Sequence, residues 1–84
     1  MKLNVLSKTL AGSKVSFKFD SVSNKYIVKN FSENTAYVSF DESASVKSGT
    51  VRIPAGMGQV VESIGVGTDT VYVNGTGDVE VQQL

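Results

Sequence analysis

Chemistry in a short chain must come from side chains that can carry a proton, attack carbon or hold a metal, and here the choice is narrow. Histidine and cysteine are both absent from the 84 residues. That removes the imidazole general base, the thiolate nucleophile, zinc sites of the Cys/His kind and any disulfide framework. Paired carboxylates, a lysine nucleophile or a Ser/Lys pair remain. Asp41 and Glu42 are adjacent in a polar loop, and neighbours in an extended chain point apart. Asp78 and Glu80 share one strand face, but that is also the solvent face of an ordinary hairpin. A catalytic acid needs a buried or strained setting to shift its pKa, and the pattern around these four offers none. The chain is therefore read as non-enzymatic, with no catalytic, cofactor-binding or metal-ligating residue.

Ligand-binding motifs fare no better. Gly65-Val66-Gly67 begins like a dinucleotide fingerprint, but position 70 is Thr and no helix follows to receive a pyrophosphate. Gly56-Met57-Gly58 fails for the same reason. Asp69, Asn74, Asp78 and Glu80 lie near glycines without the twelve-residue alternation of a calcium loop. Lys14 and Lys18 flank Phe17 and Phe19, as in sheets that stack nucleic-acid bases. Period-two alternation nevertheless puts the rings and the lysines on opposite faces, so the rings are read as core and nucleic acid is not expected as a partner. Saccharide binding leans on exposed aromatics; without tryptophan, only Tyr26, Tyr37, Tyr72 and Phe31 could serve.

The elements that must carry these residues are strands. Valine leads the apolar residues, joined by many Ser, Thr and Gly, and β-branched side chains suit a pleated sheet. Leu3 and Val5 alternate with Lys2 and Asn4. Val15, Phe17 and Phe19 alternate with Lys14, Ser16 and Lys18, the first set facing a core. Lys25–Lys29 is apolar between its lysines and reads as covered on both faces. Ala36, Val38 and Phe40 share a face. Thr50–Ile53 stops at Pro54, which cannot donate to a ladder. Gln59–Glu62, Thr70–Val73 and Asp78–Val81 complete the set. Asp41–Gly49 is a polar loop with room for one helical turn. The connections look like hairpins: Asn30–Asn34 joins the third and fourth strands. Asn74-Gly75-Thr76-Gly77 joins the last two, which makes them antiparallel neighbours with Val71, Val73, Val79 and Val81 on one face. This pattern predicts a single all-β domain over residues 1–84, a small antiparallel β-sandwich or barrel of about seven to eight strands, Ig-like or jelly-roll-like.

Charge is balanced overall, with eight basic and eight acidic residues, which argues against a phosphate-backbone binder. It is unevenly distributed. Residues 1–30 hold six lysines against Asp20, whereas residues 31–84 hold Lys47 and Arg52 against seven acids. Two readings follow: the halves pair and their charges meet across the sheet, or the surface is bipolar and orients copies head to tail. No leader pattern and no membrane-spanning run are present, so a cytosolic product without membrane contact is expected. With so small a core, the chain either folds around an efficient β core or gains stability as an oligomer.

A resemblance emerges over residues 26–82. The run Tyr26-Ile27-Val28-Lys29-Asn30, then Thr35-Ala36-Tyr37-Val38-Ser39-Phe40, then Ser48-Gly49-Thr50-Val51-Arg52-Ile53-Pro54-Ala55-Gly56 resembles the short β-sandwich accessory proteins encoded among tailed-bacteriophage structural genes. So do Asp69-Thr70-Val71-Tyr72-Val73 and the closing Gly75-Thr76-Gly77-Asp78-Val79-Glu80-Val81. The resemblance implies a virion component made in the host cytoplasm: a capsid decoration, a head fibre, or a neck or tail part. Such a protein would work by binding other virion proteins and itself. The alternative is a module recognising a cell-surface glycan.

Overall fold

The computed structural model describes residues 4–46 and 48–84. Lys2, Leu3 and Lys47, named above, lie outside them. The described chain forms six strands: β1 (Asn4–Ser23), β2 (Lys25–Asn30), β3 (Ala36–Ser39), β4 (Val51–Ile53), β5 (Gly58–Glu62) and β6 (Thr68–Gln83). The all-β expectation is met, but the count is six rather than seven to eight. Two pairs of anticipated strands are each one continuous strand. The segments around Val5 and Lys14–Phe19 merge into β1, and Thr70–Val73 merges with Asp78–Val81 into β6.

Merging overturns the C-terminal hairpin. Neither Asn74 nor Gly75 adopts the positive φ that an Asn-Gly turn requires; only Gly77 does, at 99°. Of the two glycines, only Gly77 serves close approach; at Gly75 a Cβ would find ordinary contact distances. A Cβ on Gly75 would meet Ala36, and one on Gly77 would lie 2.7 Å from Ser32 Cβ. Val71, Val73, Val79 and Val81 do share the buried face, because odd-numbered residues of one strand point the same way.

β1 and β6 pair antiparallel from Asn4↔Gln83 to Ser23↔Thr68. Along its other edge, β6 is divided. Tyr72–Asn74 pairs with β3, and Val79–Gln83 pairs with β2. The strand order is β4-β3-β6-β2-β5, with β1 added to β6. Asn30–Asn34 is therefore a connection between the two halves of β6, not a hairpin between paired strands. β4 and β5 occupy opposite ends of the order, yet only Pro54–Met57 joins them. Met57 N donates to Pro54 O at 3.1 Å, with Gly56 at φ 73°. So short a link forces the ends of the sheet together, and the molecule is one curled, nearly closed antiparallel sheet around its core.

A bulge keeps that core continuous. Leu6 and Leu10 face inward at even positions, whereas Val15, Phe17 and Phe19 do so at odd ones. The register shift between Ala11 and Lys14, with Gly12 at φ 89°, supplies the extra residue that switches the parity. Val5 consequently faces outward opposite Gln82 and is half-buried. Ile27 is also half-buried on the outer face, so β2 is not fully covered on both sides. Phe17, Tyr26, Val28, Val38, Ile53 and the β6 valines form the fully buried centre. Tyr26 stacks obliquely between Phe19 and Phe40, at centroid distances of 5.2 and 5.9 Å.

Candidate functional site

The structure separates the residues singled out for chemistry. Asp41 sits at the start of an exposed turn, where its Oδ1 accepts from Ser43 N at 2.9 Å and Ser43 Oγ at 2.8 Å. These bonds, the backbone one foremost, hold its pKa below the ordinary value, and Lys14 nearby adds to the effect. Lys14 Nζ donates to the carbonyls of Glu42 and Ala44, so the turn leans against β1. Asp69 accepts from Thr70 Oγ1 at 2.7 Å. Asp78 and Glu80 do share the outer face of β6. Asp78 Oδ1 accepts from Thr9 Oγ1 at 2.6 Å, and Glu80 pairs with Lys29 at 3.3 Å. Asn74, by contrast, pairs with Tyr37 on β3 and Lys14 on β1.

The register resolves the two readings of charge, strand by strand. Lys25 lies opposite Glu62 and Lys29 opposite Glu80, so the β2 lysines meet acids across the sheet. Those of β1 do not: Lys8, Lys14 and Lys18 face Val79, Asn74 and Thr70. Lys8 has inward parity at the free edge of the strand. Its Nζ donates to Ser16 O at 2.7 Å and lies 5.2 Å from the Phe17 ring, bridging the two arms of the bent β1.

Of the four aromatics considered for saccharide binding, Tyr26 is fully buried and Tyr37 and Tyr72 are half-buried. Phe31 is 64% exposed, and its backbone is held firmly. Asn30 on one side is buried, with Nδ2 donating to the carbonyls of Asn34 and Ile53 at 2.8 and 3.0 Å. Its Oδ1 accepts from Ser32 N and Ser32 Oγ. Phe31 N itself donates to Asp78 O at 3.0 Å. The ring stands beside a depression of about 330 Å³ lined by Ser7, Lys8, Thr9, Asp78 and Glu80.

A second surface lies at the opposite end of the strands. Ile64 is 98% exposed and Val66 84%, both in the loop between β5 and β6, beside Val22 at 66% and Leu84 at 55%. Local bonds gather them. Ser63 N donates to Asn24 O, Ser63 Oγ to Val66 O and Ser23 Oγ to Leu84 O. Gly67 packs so closely that a Cβ there would lie 2.7 Å from Val22 Cγ1. The sequence carries a signal for this end, since Ile64 and Val66 interrupt a Ser/Gly turn where polar residues would suffice. No protein-family model matches the chain, and no curated protein or solved structure is significantly similar to it.

Proposed function

We propose that this protein is a non-enzymatic structural module that works by protein–protein association, as an accessory component of a tailed-phage virion. The observation that carries association is the apolar end formed by Val22, Ile64, Val66 and Leu84. Isolated exposed apolar residues are ordinary on a soluble surface, but several gathered at one end of a molecule form a contact surface in waiting. Covering Ile64 and Val66 would contribute about 1.5–3 kcal/mol each. The virion assignment is supported by the strand-and-turn pattern over residues 26–82, and its partners would be other virion proteins and further copies of the chain.

Two measurements test this reading. Sedimentation velocity of the purified protein should show a concentration-dependent oligomer that Ile64→Asp and Val66→Asp together dissolve without lowering the melting temperature. Expressed during infection, the wild-type chain should co-purify with particles and the double variant should not. A monomer at high concentration that is also absent from particles would refute the proposal.

A further inference from the structure

The Phe31 depression lies at the end of β2 away from the apolar group, and association does not explain it. We propose that it is a binding subsite for a neutral saccharide. An exposed aromatic ring at a loop tip is normally free to fold down onto its neighbours. Here the backbone that carries the ring is fixed on both sides. The Asn30 side chain ties the end of β2 to Asn34 and Ile53, Ser32 is bonded back onto Asn30, and the Phe31 amide is bonded to Asp78 O. Holding an aromatic out in water has no folding benefit. It does present a preorganised flat apolar surface, with little ordering cost left for a ligand to meet.

What surrounds the ring selects the ligand. The floor offers the Ser7 and Thr9 hydroxyls with the Asp78 and Glu80 carboxylates, an array suited to a polyol. Asp78 and Glu80 each hold one identified partner on one oxygen, which leaves acceptor capacity for sugar hydroxyls. The lining holds Lys8 against Asp78 and Glu80, and Glu80 is already paired with Lys29, so no strong net charge is left to draw an ion. Glu33 on the other flank of the ring further disfavours anions. A pyranose has the matching form: one face of C–H bonds to lie on Phe31, and a rim of hydroxyls for the carboxylates. A volume of about 330 Å³ accommodates one or two sugar rings.

The test is a backbone-amide NMR titration of the full chain with glucose, galactose, N-acetylglucosamine and rhamnose, each to tens of millimolar. Millimolar binding of at least one is expected, with shifts confined to Thr9, Phe31, Ser32, Asp78 and Glu80. Phe31→Ala, whose lost ring is exposed, should keep the wild-type melting temperature and weaken that binding about tenfold or more. Phe31→Trp should strengthen it. The Ile64→Asp/Val66→Asp variant should bind as wild type does, so loss of association and loss of sugar binding are separable. No localised shifts with any of the four sugars, or shifts that survive Phe31→Ala unchanged, would overturn the proposal. Shifts centred on Tyr37 and Tyr72 instead would do so as well.

Discussion

Gly77 and Gly56 both have positive φ, yet they differ in what surrounds them. Gly56 has open space where a Cβ would stand, whereas at Gly77 that atom would press on Ser32. Gly56→Ala should therefore cost only backbone strain, about 1–2 kcal/mol. Gly77→Ala adds a clash with the residue that pins Phe31, and thermal melts should show a clearly larger loss. Asn30→Ala is expected to cost about 2–4 kcal/mol, because buried carbonyls lose their donor. The importance of Asn30 was legible in part. Tyr26, Val28 and Asn30 alternate, so Asn30 has inward parity. Read only as a turn former, it concealed its buried network, because residue type does not reveal which carbonyls a fold brings within reach. Asp41 supplies the pH dependence. Its folded pKa lies below the ordinary 3.8, so its contribution is present above that value and lost as pH falls through the folded value. Asp41→Asn should flatten the acid side of the stability profile, as measured by denaturant unfolding from pH 5 downward.

Among the elements, β1 best separates what periodicity can reveal from what it cannot. Val15, Phe17 and Phe19 against Lys14, Ser16 and Lys18 is a period-two pattern, and it placed all six side chains correctly. The same pattern cannot say which face Val5 takes, because a bulge changes parity without changing composition. Deleting Ser13 should remove that switch and turn either Leu6 and Leu10 or Phe17 and Phe19 toward solvent. Loss of cooperative unfolding, followed by circular dichroism, is the expected result; a wild-type melt would show that the bulge is dispensable. Phe17→Ala and Val71→Ala strike the same wall of the core from paired positions. Each should cost roughly 2–5 kcal/mol, enough to leave a domain of this size largely unfolded.

Closure of the sheet belongs to the whole molecule and was the least legible feature. Nothing in Pro54–Met57 announces that the strands it joins lie at opposite ends of the strand order. That follows only once β6 is known to run unbroken and to divide its second edge between β2 and β3. Hydrogen exchange should report this architecture. The β6 amides of Tyr72–Asn74 and Val79–Gln83 lie between paired strands on both sides and should exchange most slowly, with β4 and the free edge of β1 exchanging first.

Asn4 and Gln83 are paired neighbours, which determines how the molecule would respond to tension. A pull applied through both chain ends would load the β1–β6 ladder at its final rung and peel it like a zipper, one rung at a time. Force entering through the C-terminal end of β6 and leaving by the distant Gly12 corner of β1 would instead act along the strands and strain many rungs together. The same polypeptide is thus fragile or tough according to where it is tethered.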